Sequence, residues 1–322
     1  MKNAFAALLC ALALLAAPPA AAQRDYPAKP VRVIASFPSG SIPDIAARTI
    51  ASALHQALGQ PFIIENRTGA AGNTGAEAVA KAAPDGHTLL VSTNGPTAIN
   101  QLLYSDLPYD PMRDLAPVAL LVRVPQILVV GKAFPADDFK SFIGHAKRHP
   151  GKISYGSAAG SVGHLAMEDL KAKSGIEIVH VPYRDFRTAV DDLLAGRIQT
   201  MFAMGNSVLP HLESGKMKGL AITAENRWPA VPNLPTLAEL GYPSAQSYVW
   251  IGLLAPARTP ALIIERLNEA AEAALAAPDQ RKALEKQGFE IVGGSAEAFD
   301  RRRRAEAARW AEVVKRTGAK AE

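Results

Sequence analysis

The chain predicts an α/β fold made of two similar units, each a sheet flanked by helices. Short β-branched runs alternate with amphipathic helical runs, and twice a loop of small residues joins a strand to a helix. A length of 322 residues, 48% hydrophobic and 20% charged, is enough for two buried cores.

Val31-Arg32-Val33-Ile34-Ala35 is short, apolar and unbroken, the pattern of a buried strand. Beyond it, Ala47, Ile50, Ala51, Leu54 and Leu58 share one helical face that Gly59 can terminate. Pro43 suits the first helical position, and Ser41 can cap ahead of it. Between strand and helix lies Phe37-Pro38-Ser39-Gly40-Ser41-Ile42-Pro43-Asp44, a turn that aims backbone N–H groups and a positive helix end at one spot. A second strand at Phe62–Glu65, a Gly-rich loop at 69–75, a helix through Ala76–Ala83 and a third strand at Thr88–Ser92 complete βαβαβ. Right-handed crossovers would bring the loops after Ala35, Glu65 and Val91 to one sheet edge, so Ser39, Gly40, Ser92, Thr93 and Asn94 would share a crevice.

Pro-rich connections then lead to Ile127–Val130, where a second series begins. A strand at Ile153–Tyr155 runs through Gly156–His164 into a helix, and strands at Ile176–Val181, Gln199–Phe202 and Gly219–Thr223 follow. Trp250–Ala255 is strand-like, and Ala261–Ala276 and Ala296–Arg316 are helical. The unit boundaries fall at turns near Arg123 and Thr223. Residues 23–122 plus 224–322 would form domain 1, and 123–223 domain 2.

Residues 1–22 stand apart. Lys2, the apolar run Ala4–Ala17 and Ala20-Ala21-Ala22 before Gln23 predict a secretory signal peptide cleaved after Ala22, hence a periplasmic protein. The apolar run falls short of the ~20 residues of a membrane span. The single cysteine, Cys10, lies in this leader, so no disulfide is expected. The net charge of +5 is concentrated around Arg301–Arg304 on a helix, which reads as a solvated face and not as a nucleic-acid groove.

Chemistry centres on the two small-residue loops. A helix end contributes only ~0.3–1 kcal/mol toward an anion, while micromolar binding requires roughly 8 kcal/mol. Several donors must therefore converge: amides near Gly40 and Ser157, hydroxyls of Ser39, Ser157 and Ser161, and the Asn94 amide. A ligand with a carboxylate at each end would use both loops, whereas either loop alone reads as an ordinary turn. Gly69–Gly75 is spaced GxxGxxG and not GxGxxG, so a plain turn outweighs a nucleotide loop. His145 and His149 have no acidic partner in the sequence nearby and read as solvated helix. No metal or cofactor is expected. Ser161 misses the GxSxG register by one, and nothing nominates a nucleophile with its base.

Lys29–Ile34, Phe37–Asp44 with Ala47-Arg48, Glu65–Gly69, Pro84–Leu90, Tyr155-Gly156-Ser157, His164-Leu165, Val181-Pro182-Tyr183-Arg184, Pro235-Thr236 with Glu239-Leu240-Gly241, and Trp250–Leu253 form an ordered set. Together they resemble the Bug-type (TctC-like) solute-binding proteins of tripartite tricarboxylate transport systems, across essentially the whole mature chain. The resemblance implies a two-domain periplasmic binding protein, type II-like and hinge-closing, that takes a small di- or tricarboxylate or amino-acid-like acid and serves membrane subunits of a transporter. Carried over by position, the candidate ligand-binding residues are Phe37, Ser39, Gly40, Ser41, Asp44, Ser92, Asn94, Ser157, Ala159, Ser161, His164, Tyr183, Arg184 and Asn206. Ser41, Pro43 and Arg184-Asp185 depart from the family's usual Gly, Thr and Lys-Gly. The receptor is expected to be a monomer. Two rivals remain: a periplasmic serine hydrolase using Ser161 and His164, and a receptor that signals to a sensor kinase.

Overall fold

A computed structural model describes residues 26–320. The predicted signal peptide, its cleavage site and Cys10 lie outside the described residues.

The first unit begins as expected. Strands β1 (Val31–Ala35), β2 (Phe62–Asn66) and β3 (Thr88–Thr93) are parallel, joined through helices α1 (Ile42–Leu58) and α2 (Asn73–Ala80). α1 buries Ala47, Ile50, Ala51 and Leu54 against Val31 and Val33, and Gly59 closes it at φ +76 with its N–H on the His55 carbonyl. Each fully buried aliphatic side chain there contributes about 1.5–3 kcal/mol. α2 stops at Ala80, one turn short of the expected Ala83.

After α3 (Pro111–Asp114) comes β4 (Leu115–Gly131), one strand of 17 residues. The expected turn near Arg123 is absent, because Arg123 lies inside this strand, and the second series does not start afresh at Ile127. Pro117 and Pro125 make the sequence look broken, yet both are accommodated. Pro117 lies at a register shift in the pairing with β9 (Tyr248–Pro256), and Pro125 lies where β4 leaves β9 for other partners. Neither site requires a regular ladder N–H.

β4 continues into pairing with β7 (Thr200–Met204) and β8 (Met217–Ile222). β5 (Ser154–Ser157) and β6 (Val179–Pro182) extend that side in parallel. β6 starts at Val179, later than the expected Ile176, although Ile176 and Ile178 are core residues. Helices α4 (Phe139–Arg148), α5 (Val162–Ser174), α6 (Phe186–Leu194) and α7 (Gly205–Glu213) fill the connections. The order is β2-β1-β3-β9-β4-β7-β5-β6, with β8 and the short β10 (Glu290–Ile291) also on β4.

Helix α8 (Ala261–Ala276) has the expected bounds, and α9 (Pro278–Lys286) follows it. The last helix, α10 (Ala296–Thr317), places Phe299 and Trp310 in the core with Trp250. Gly252 is needed in β9, since a Cβ there would stand 2.3 Å from the Phe299 ring. α10 also reaches α5 through the Arg316–Asp169 ion pair. No helix among the described residues is long and apolar enough to cross a membrane.

Candidate functional site

Register places the two loops. β3 ends at Thr93, level with Ile251 and so with Val122 of β4. β5 runs in parallel with β7 and therefore against β4, Tyr155 being level with Thr200 and Val130. The carboxyl ends of β1–β3 and of β5–β7 thus point from opposite directions toward Arg123–Gln126, where open α/β sheets bind their ligands. At this crossover the Gln126 N–H donates to Thr223 Oγ1 at 2.9 Å, and the Thr223 N–H donates back to the Gln126 carbonyl.

The first loop is pinned by a carboxylate. Asp44, 1% exposed, accepts from the Gly40 N–H (2.9 Å), Asn66 Nδ2 (2.7 Å) and Arg48 Nε (2.9 Å). Asn66 also donates to the Phe37 carbonyl. Burial opposes ionisation of Asp44, but the Arg48, Asn66 and Gly40 donors outweigh it and hold the carboxyl below its ordinary range. The Gly40 amide, expected to face ligand, is therefore engaged by Asp44. Gly40 itself is exposed at φ +78, with no protein atom within 4 Å of where a Cβ would stand. Ser39 is exposed, and Phe37 is half-buried against Gly72, where a Cβ would meet its ring. Ser41 holds the N-cap conformation of α1 without a capping bond, and its hydroxyl is buried without a protein partner. The capping role expected of it is not realised.

The second loop rests on neutral rings. Ser157 Oγ lies 2.8 Å from His180 Nε2, and the Gly160 N–H donates to His164 Nδ1 at 3.0 Å. The two imidazoles stack at 4.2 Å and 13°, and the Tyr155 ring lies 4.9 Å from His180 and 6.4 Å from His164. Burial pushes His164 down to about 4 and lowers His180 as well. Ser161 caps α5 by accepting the His164 N–H, and Ala159, two residues before Ser161, is half-buried. Gly156 permits close packing, since a Cβ there would meet Ile198 and the Tyr183 ring. The Tyr183 hydroxyl donates to Asp192 at 2.8 Å, which raises its pKa to about 12 together with burial, the larger cause. Arg184 is exposed.

Three candidates are enclosed or committed elsewhere. Ser92 is wholly buried, and its hydroxyl has no protein partner. Asn94 commits both amide hydrogens, to the Tyr248 carbonyl and to Glu306, whose enclosed carboxyl also accepts from Trp250 and Trp310. Asn206, at the start of α7, donates to the Gln287 carbonyl and so ties the two sides of the crossover. Residues that the sequence reading left out are Arg48, Asn66, Gln126 and His180. Arg48 and Asn66 stand inside quoted motifs, and His180 directly precedes one. Gln126, 3% exposed, lies against the start of α5, where a Cβ at Gly163 would come within 3.1 Å of its Nε2.

The hydrolase geometry does not form at Ser161. Its hydroxyl accepts from a backbone amide, and His164 Nδ1 is taken by Gly160. Among the described residues no group of three or more His, Cys, Asp or Glu side chains is placed to hold a metal.

The family model of the tripartite tricarboxylate transporter family receptor, TctC, matches residues 46–319. The chain is 36% identical over 315 residues to protein BugT of Bordetella pertussis, covering 97% of this chain and 96% of that protein. Among solved structures, Rpa4515 of R. palustris with adipate is 38% identical at a TM-score of 0.85, covering 92% of this chain and 99% of that one. MatC (Rpa3494) of Rhodopseudomonas palustris with bound malate is 34% identical at a TM-score of 0.81, covering 90% and 100%. The pinned loop, the facing strand ends and these matches agree: the chain belongs to the TctC family of tripartite tricarboxylate transporter receptors.

Proposed function

We propose that this protein is a periplasmic receptor that captures a small dicarboxylate between the two loops and delivers it to membrane subunits of its transporter, without chemical turnover. The observation that carries this reading is the pairing of two helix-opening loops on strand ends aimed at one crossover, each with a serine hydroxyl beside it: Ser41, which has no protein partner, and Ser157, which faces His180 Nε2. Relatives that share the fold and over a third of the sequence bind adipate and malate, acids with a carboxylate at each end. The candidate set for contact is Phe37, Ser39, Ser41, Ser157, Ala159 and Arg184, with Gly40, Asp44, Ser161, His164 and Tyr183 shaping the loops. Residues 23–122 plus 224–322 against 123–223 would move as two bodies, with β4 and the Thr223–Ser247 segment as the crossings. Closure follows from contacts that the ligand makes only in the closed state.

Calorimetry with adipate, malate and C4–C8 dicarboxylates tests the ligand class, with small-angle scattering to record compaction at saturation. Binding of a dicarboxylate but not of its mono-amide supports the reading, and equal affinity for both overturns it. N-terminal sequencing of the exported protein should begin at Gln23, and an intact Met1 would refute the export signal.

A further inference from the structure

We infer that His180 is a positioning residue of the receptor site: its ring, carrying the proton on Nε2, donates to Ser157 and thereby turns the Ser157 hydroxyl into a donor for a ligand carboxylate. The inference deepens the receptor reading and, for its binding consequences, rests on it.

His180 Nε2 faces two oxygens of one residue, Ser157 Oγ at 2.8 Å and the Ser157 carbonyl at 3.4 Å. A carbonyl can only accept. Were Nε2 bare, its lone pair would oppose that carbonyl, whereas an N–H there meets both oxygens favourably. The carbonyl has room for it, since its other bond comes from the Tyr183 N–H at 2.9 Å. With Nε2–H donating, Ser157 Oγ accepts from the ring and keeps its own hydrogen for another oxygen. The opposite tautomer would direct that hydrogen at the ring and present lone pairs to the ligand, which would repel a carboxylate.

The neighbouring rings fix the plane of His180, which lies 4.2 Å from His164 and 4.9 Å from Tyr155 with interplanar angles of 13° and 26°. A flip within that plane would replace Nε2 by Cε1 and lose the bond to Ser157 Oγ. His164 has the matching tautomer, because its Nδ1 accepts from Gly160 and its proton must sit on Nε2 when neutral. This relay supplies an anion donor in a loop with no Lys or Arg between Gly156 and Leu165.

Two measurements on the full mature chain decide the matter. Long-range proton–nitrogen NMR of histidine-labelled, ligand-free protein, with His180 assigned by loss of its signals in His180→Gln, should show Nε2 protonated and Nδ1 bare. A bare Nε2 overturns the assignment whether or not any ligand is known. Calorimetry with adipate supplies the second arm. His180→Phe keeps a stacking ring without the donor and should weaken binding roughly tenfold, the loss of about one hydrogen bond. His180→Gln, whose amide can donate from the same side, should restore most of it. In a Ser157→Ala background His180→Phe should have no further effect. Unchanged affinity in His180→Phe, or an equal loss with and without the Ser157 hydroxyl, overturns the relay. If the wild type binds none of the C4–C8 dicarboxylates, the ligand class fails, and the NMR result still decides the tautomer.

Discussion

The two loops open their helices with the same backbone and different chemistry. Ser41 and Ser161 occupy the N-caps of α1 and α5 at nearly identical dihedrals, φ −72 and ψ 160 against φ −70 and ψ 163. Ser161 accepts the His164 N–H, whereas Ser41 makes no capping bond. The first loop is braced by an ionised carboxylate, Asp44 with Arg48; the second is braced by stacked imidazoles that burial keeps neutral. One backbone arrangement thus does not dictate how charge is managed behind it. The bracing atoms, not the cap residues, set how each loop responds to mutation and acid.

The largest effect should come from removing the charged brace. Asp44→Ala leaves Gly40, Asn66 and Arg48 without their acceptor. Breaking a well-buried ion pair costs more than leaving a surface charge, but Arg48 is half-exposed and can turn to water, so a loss of about 3–4 kcal/mol is expected. Urea unfolding measures it. A loss below about 1 kcal/mol would place the strength of that loop elsewhere.

Acid separates the loops next. The folded pKa of His164, about 4, lies below its ordinary value of 6.5, so the folded state binds fewer protons across that window. Its contribution is complete above pH 6.5, falls as the unfolded chain takes up protons, and is gone below about 4. The full swing is about 3 kcal/mol. His180, lowered by the same burial, adds to the slope. Asp44 is lowered from the carboxylate range, so its contribution persists through this window and is lost only as pH falls through its own folded value. Urea midpoints at pH 7 and 4.5 should therefore fall steeply in wild type and less in His164→Phe, while a variant at Asp44 keeps the wild-type slope. An unchanged slope in His164→Phe would remove the neutral rings from the account.

How far this contrast could be read in the sequence follows from the range of each interaction. β1, α1 and α8 were legible because local periodicity determines them, and both loops were recognised as helix openings because Gly and Ser punctuate the chain locally. β4 was not, because Pro117 and Pro125 look like breaks until their partners show that neither lies at a ladder position requiring an N–H. The braces were less visible still. Asn66 meets Asp44 from 22 residues away and His180 meets Ser157 from 23, so only assembled strands show that Gly40 is engaged and which histidine serves Ser157. Asn94 looked like a ligand donor because its place at the end of β3 was correct; what the sequence concealed was Glu306, on the last helix.

A smaller effect tests the open face of the first loop. Gly40→Val places a branched residue at φ +78, which costs about 1–2 kcal/mol, while no protein atom obstructs its Cβ. Stability should fall by that amount alone. Dicarboxylate binding should fall much further, because the space that the side chain enters is the space assigned to ligand. Retained binding in a folded Gly40→Val protein would remove that loop from the site.

The smallest stability effect carries the sharpest form of the contrast. Ser161→Ala removes a cap that is made, so it should cost about 1 kcal/mol and leave a bare His164 amide. Ser41→Ala removes a hydroxyl that is buried and makes no bond to the protein, so stability should change by no more than a few tenths of a kcal/mol in either direction. Binding should rank the other way. If the Ser41 hydroxyl is free because a ligand oxygen completes it, its loss weakens dicarboxylate affinity by roughly fivefold to tenfold, whereas Ser161, engaged in its own helix, matters only through the shape of the loop. Urea unfolding and adipate calorimetry on the two alanine variants give the four numbers required. A cost in stability at Ser41 equal to that at Ser161, with no change in affinity, would show two ordinary caps and end the distinction between the loops.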